Sequence, residues 1–191
     1  MRKATIAALV VVACMAPPHA GAILAPIALS NLVAQSQSIV VAHVEKVSYV
    51  PTLTGGGKLR VDQAAILRVE ETWKGPETNR LEVSVGPTWT CDMSTAQQGE
   101  NALFFLVCDR RTSVLRIGHD GRGRMPIWHD GGKTLASFWW EVGMPNGLEV
   151  LPGQDPRDEL TRAVRLESLK HEIKRICAKQ REENSQHRSA P

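Results

Sequence analysis

Aromatic residues are scarce in this 191-residue chain, at 5%, and the sequence holds one tyrosine and four cysteines. It has no Gly-x-Ser-x-Gly elbow, no Walker loop and no Cys-x-x-Cys pair, so the common signatures of serine hydrolases, nucleotide binders and dithiol redox enzymes are missing. After residue 22 no apolar run is long enough to cross a bilayer. An excess of one charge is missing too. The formal net charge is +3, and removal of Arg2 and Lys3 with a leader would bring it to about +1. The stretch from Asp155 onward carries nine Lys/Arg and seven Asp/Glu, which leaves the body from Ile23 to Gln154 near −1. A body without a basic face offers no electrostatic footprint for nucleic acid.

The first residues, MRKATIAALVVVACMAPPHAGA, have the pattern of an export signal: a charged start at Arg2-Lys3, a short apolar run from Ala4 to Ala13, and small residues at Ala20-Gly21-Ala22. Cleavage after Ala22 makes residues 1–22 a signal peptide and Ile23 the mature N-terminus. A second reading stays open, because Val11-Val12-Ala13-Cys14 resembles a lipobox in which Cys14 is lipidated. Either route predicts a secreted or periplasmic protein, attached to a membrane only if Cys14 is acylated. Cys91, Cys108 and Cys177 would then meet an oxidising compartment, where one disulfide and one spare thiol are expected. Of the three pairings, Cys91–Cys108 is preferred, since both flank one strand-like region.

Residues 23–153 have the pattern of one mainly β domain. PIALSNLVAQSQ predicts a short amphipathic helix. SIVVAHVEKVSYV is a β-branched strand whose alternation resumes at Val47 and Tyr49 after a bulge. TLTGGGK is a loop, LRVDQAAILRVEETWKG a long strand stopped at Gly75-Pro76, and RLEVSVG a strand presenting Leu81, Val83 and Val85 to one side. NALFFLVC fits a strand buried on both faces. SVLRIG and GRMPIW predict a hairpin turning at His119-Asp120-Gly121, with Leu115 opposite Met125, and LASFWWEV adds a further strand. These segments argue for an OB-fold-like barrel of five to six strands. A long amphipathic helix is expected over 154–182, capped by Asp155 with Pro156 in its first turn and apolar at Leu160, Val164, Leu169, Ile173 and Ile176. Residues 183–191 complete the chain as a disordered tail.

Three segments in order, SQSIVVAHVEKVS, ILRVEETWKGPE and TCDMSTAQQGENALFFL, resemble the N-terminal domain of tissue inhibitors of metalloproteinases and related netrin-like modules. The resemblance spans about Asn31 to Ile127 and rests on Ile39–Val47, on Trp73-Lys74-Gly75-Pro76-Glu77, and on Cys91 with Gly99–Leu106. It implies an OB-fold barrel. It also implies a limit on activity, because those inhibitors chelate the protease zinc with an N-terminal cysteine held by a disulfide. Here Ile23 stands at the expected N-terminus, and no cysteine follows before Cys91, the match to the partner cysteine. Inhibition by that chelating route is therefore not expected.

Other candidate chemistry is assigned to structure. The two His-Asp-Gly units, at His119 and His129, are predicted as two turns at opposite ends of one strand, about 30 Å apart and too distant to share a metal. Asp92 and Asp109, beside Cys91 and Cys108, disfavour a reactive thiolate. Glu70 and Glu71 point to opposite faces of a strand and cannot share a substrate. Arg122 and Arg124 alternate on the outer face of their strand, with Arg110, Arg111 and Arg116 nearby, either as a solvated edge or as contacts for an acidic partner. Trp73, Trp89, Trp128, Trp139 and Trp140 are expected mainly to pack and cover the core, with Trp89, Trp139 and Trp140 as candidate ligand contacts. The expectation is an exported, non-enzymatic binding module for a protein or carbohydrate partner, with no cofactor, no metal and no nucleic acid. The alternatives are a protease inhibitor acting through another surface and a metal-dependent hydrolase using the His-Asp-Gly units.

Overall fold

The computed structural model describes residues 25–53, 59–86, 95–109, 113–155 and 158–189. In chain order the elements are β1 (Ile27–Ala28), α1 (Leu29–Gln35), β2 (Ser38–Leu53), β3 (Leu59–Lys74), β4 (Arg80–Ser84), β5 (Asn101–Cys108), β6 (Leu115–Ile117), β7 (Arg124–Asp130), β8 (Lys133–Trp139), β9 (Val142–Gly143), β10 (Val150–Pro152), β11 (Thr161–Arg165) and α2 (Leu166–Ser189).

Five of these strands close a barrel in the order β2–β3–β4–β6–β5 and back to β2. All neighbours are antiparallel except β4 and β6, which run parallel through Val83↔Leu115 and Ser84↔Arg116. Alternation supplies the lining. Val40, Ala42 and Val44 of β2, Ala65 and Leu67 of β3, Val83 of β4 and Ala102, Phe104 and Leu106 of β5 form one buried cluster. The bulge foreseen in β2 lies where the β2–β3 register shifts between Val44 and Lys46. Gly75 ends β3 with φ +96°, and a Cβ there would sit 2.9 Å from the Gln37 carbonyl, so the turn needs glycine.

β5 is buried on both faces, as its unbroken apolar run requires. Its other side presents Leu103 and Phe105 to a second core shared with Ile39, Val41, Met125, Phe138 and Val164 and covered by Leu29, Leu32 and Val33 of α1 and Leu169, Ile173 and Ile176 of α2. β5 also forks. Leu106–Cys108 pair with β6 to close the barrel, while Ala102–Phe104 pair with β7 and begin an outer sheet, β7–β8–β11–β10. The second core fills the space between that sheet and the helices.

Three expectations are corrected. β6 and β7 are not a hairpin: Leu115 pairs with Val83 and Cys108, and Met125 with Leu103, because β6 spends its hydrogen bonds on β4 and β5, and β7 on β5 and β8. The C-terminal helix begins at Leu166 rather than 154, since Thr161–Arg165 is a strand completing the ladder beside β8, with Val164 buried from a sheet and Leu160 52% exposed. Pro156 lies outside the described residues. The helix also continues to Ser189, where a disordered tail was expected from 183. Lys170 ties α2 to the barrel by an ion pair with Glu71 at 2.7 Å, while Glu70 faces the other way and meets Arg68 at 3.3 Å.

Candidate functional site

The far half of the β2–β3 hairpin extends past the strands that flank its root. β5 pairs with β2 only from Ser38 to His43, and β4 with β3 only from Ala64 to Arg68. The hairpin nevertheless stays in register from Tyr49↔Gln63 to Leu53↔Leu59, and among the described residues no strand flanks it there. Four residue steps at about 3.3 Å make a two-stranded arm about 13 Å long. Val85 and Gly86 brace its root, with the Val85 amide donating to the Gln63 carbonyl at 2.9 Å. Tyr49, the chain's only tyrosine, is 68% exposed on one face of the arm, and Val50 is 46% exposed on the other.

The outer barrel face beside the arm is evenly charged. Glu45 meets Arg80 at 3.3 Å and Arg68 at 3.9 Å, and Ile66 pairs with Glu82. Among the described residues of this face there is neither an aromatic stacking platform nor a basic stripe of the kind that oligonucleotide-binding barrels use.

The first His-Asp-Gly unit has a structural cause. Gly118 donates to the Phe105 carbonyl at 2.9 Å, Phe105 donates to the Gly123 carbonyl at 2.7 Å, and Gly123 donates to the Gly118 carbonyl at 3.1 Å. Added Cβ atoms would lie 3.2 Å from the Phe105 oxygen at Gly118 and 2.8 Å from it at Gly123. These glycines pin the chain to the fork in β5, and His119–Arg122 loop out between them. His119, Asp120 and Gly121 have φ of 54°, 55° and 89°. Gly121 is thus left-handed as expected of a turn, although the turn does not join a hairpin. The second unit is a hairpin: Asp130 pairs with Lys133, and Gly131 and Gly132 both take the positive φ that a type I′ turn demands.

The two arginines are corrected in detail. Neither lies on a solvated edge, because β7 runs between β5 and β8. Arg122 precedes the strand and is 7% exposed, its Nη1 donating to the Ala25 carbonyl at 2.6 Å and its Nε to the His119 carbonyl at 3.1 Å. Arg124 meets Glu100 at 2.6 Å, and their side chains are 16% and 14% exposed. Both guanidiniums hold the fold together.

Trp128 and Trp139 share the sheet face opposite the helices, where the Trp128 indole N–H donates to Ser137 Oγ at 3.0 Å. Trp139 is half-buried and Trp140, in the turn after β8, is 46% exposed, while Trp73 is buried in the second core. Cys177 is buried and Cys108 half-buried, each with a free thiol. Cys91, the partner expected for Cys108, lies outside the described residues with Trp89, Arg110, Arg111 and Cys14. His119 lines an open cleft of about 810 Å³ with Gln35, Cys108, Asp109, Arg116 and Asp120. His129 is exposed at the far end of β7, its Nδ1 3.1 Å from Thr134 Oγ1. Among the described residues no three His, Cys, Asp or Glu side chains converge as a metal site.

The fold is a closed five-stranded β-barrel of OB-like order with a short N-terminal and a long C-terminal helix. Comparison with family models, curated proteins and solved structures finds no match for the chain. Sequence reasoning missed the arm because the strand pattern runs on past the barrel rim. The exposed Tyr49 beside Val50 and Pro51 was the one available signal.

Proposed function

We propose that this protein is a non-enzymatic binding module, exported from the cytoplasm, that grips a protein partner with the β2–β3 arm. The observation that carries the reading is the arm, a ribbon whose edges no strand flanks among the described residues, with Tyr49 and Val50 in solvent. Tyrosine in an accessible position is a frequent interface hot spot, and free strand edges take up a partner strand through backbone hydrogen bonds. The described residues of the barrel face, neutral and without an aromatic ring, argue for a protein over a nucleic acid. A carbohydrate contact on Trp139 or Trp140 is the lesser alternative, since Trp139 is half-buried and Trp140 stands in a turn. Kinship with the netrin-like modules is part of the proposal, supported by the barrel order and by the place of Lys74-Gly75-Pro76 at the end of β3.

The inhibitor reading draws on one further observation: the incoming segment is fixed to the body at Ala25 and again at Ile27, whose amide donates to the Glu141 carbonyl at 2.9 Å. Affinity capture from the extracytoplasmic fraction of the native host, quantified for wild type against Tyr49→Ser/Val50→Asp, tests the proposal. A partner retained by wild type and lost by the double variant supports it. Equal recovery of every bound protein ends it. A panel of secreted metalloproteinases run beside it decides the inhibitor option, which micromolar protein without effect would close.

A further inference from the structure

We propose that the His119–Arg122 turn is an acid-sensitive latch on the N-terminal segment: protonation of the His119 imidazole loosens the turn, and the Arg122 guanidinium releases Ala25. The proposal does not depend on the binding reading above.

The segment is held at few points. Ala25 and Pro26 are exposed, and what fixes them is the buried Arg122 on the Ala25 carbonyl and the short pairing of β1 with β9. The same guanidinium holds the His119 carbonyl, so clamp and turn share one side chain. The turn is not intrinsically comfortable. His119 and Asp120 are both left-handed, a conformation costing about 1–2 kcal/mol per non-glycine residue and least for Asp. Its surroundings hold it there: the two glycine pins on Phe105 and the Arg122 bond.

The imidazole is placed to sense acid. Its Nε2 is buried without a hydrogen-bond partner. Of the charged groups around it, Arg122 lies in the same turn and Arg116 on β6. Asp120 is adjacent, and Asp109 and Cys108 at the end of β5 line the same cleft, to which α1 contributes only Gln35. Burial pushes the His119 imidazole below its ordinary value; Arg122 and Arg116 push the same way, and Asp120 offsets part of this. A proton here would place a third positive charge beside two guanidiniums with no acceptor for the new N–H.

The sign follows from linkage. With the turn open, His119 titrates near its ordinary value of about 6.5, and with it closed, lower. The closed state therefore binds fewer protons in that interval. The latch is fully favoured above the ordinary value and is lost as pH falls through the closed-state value, the open form gaining up to about tenfold per pH unit on the way.

Hydrogen-exchange protection factors, measured by NMR on the full chain between pH 7.5 and 5, test this without the intrinsic pH dependence of exchange. The probes are the Ile27 amide and the Arg122 Nε proton, with the Val44 amide, bonded to the Glu100 carbonyl, as barrel reference. The expected result is a fall in both probes approaching tenfold per unit in the acid range, with Val44 unchanged, and a flat response in His119→Asn, which tolerates the left-handed backbone and cannot charge. Titration of the His119 ring in wild type gives a second reading that needs no variant. Flat Ile27 protection in wild type, the same fall in His119→Asn, loss of Val44 in step, or a ring titrating at or above its ordinary value would each overturn the latch.

Discussion

Phe104 and Phe105 are neighbours in sequence, yet both are 0% exposed and belong to different cores. Phe104 lies in the barrel and Phe105 between the outer sheet and the helices. Replacing either with Leu removes three ring carbons from a closed environment, which at about 0.8 kcal/mol per buried carbon group puts the transfer loss at up to about 2.4 kcal/mol. The cavity left behind adds to this, and partial collapse around the smaller side chain limits the addition, so the expected cost is about 2–3 kcal/mol each. Because neighbours on a strand point to opposite faces, the two losses should add, with a coupling energy below about 0.5 kcal/mol in a double-mutant cycle read by urea denaturation. Phe105→Leu combined with Ile39→Val is the contrasting pair: Ile39 sits directly across from Phe105 in the β2–β5 register, within the same core. Its coupling should exceed about 0.5 kcal/mol. A Phe104/Phe105 coupling above about 1 kcal/mol would refute the two-core account, because rings that sense each other so strongly must share one cavity.

Gly123→Ala should cost about 1–3 kcal/mol, seen as a lower urea midpoint, because the new Cβ meets backbone of Phe105 and Gly118 rather than yielding side chains. Ending the chain after Arg181 should leave the melting temperature within about 2 °C, since Glu182–Gln186 are exposed and the Lys179–Glu183 pair at 3.8 Å is a surface one. Lys170→Met tests the tie between α2 and the barrel. Burial raises the Glu71 carboxyl, but the bonded Lys170 ammonium, with the charge of Lys174 beside it, outweighs this and holds the carboxyl below its ordinary value. The pair's contribution is therefore present above the ordinary carboxylate value and lost as pH falls through the folded one. With Glu71 42% exposed, the pair is worth about 0.5 kcal/mol or less, so the variant should melt about 1–2 °C lower at pH 7 and converge with wild type in acid.

Much of the fold was legible where period and burial agree. β2 through β5 follow alternation or an unbroken apolar run, and Gly75-Pro76 marks the stop of β3. The errors came where one pattern satisfies two structures. Leu115 and Met125 have the parity of a hairpin pair, but that parity also serves two strands paired separately to β5. Leu160, Val164 and Leu169 have near-helical spacing, so a strand running directly into a helix at Leu166 is indistinguishable from one longer helix. The extension of α2 to Ser189 loses its apolar stripe and continues on helix-favouring Arg, Glu and Gln. The burial of Arg122 was illegible because its acceptor, Ala25, lies 97 positions away. The arm was legible as strand but not as one that outruns its neighbours, because that depends on where β4 and β5 stop.

Closure of the barrel through β6 leaves the β2–β3 arm beyond the rim, with no strand beside it among the described residues. Backbone NOEs around Leu115 test this most directly. Contacts to Val83 in parallel geometry and to Cys108 in antiparallel geometry are predicted. Contacts from Leu115 to Met125, with none to Val83, would mean an open sheet with a β6–β7 hairpin and would contradict it.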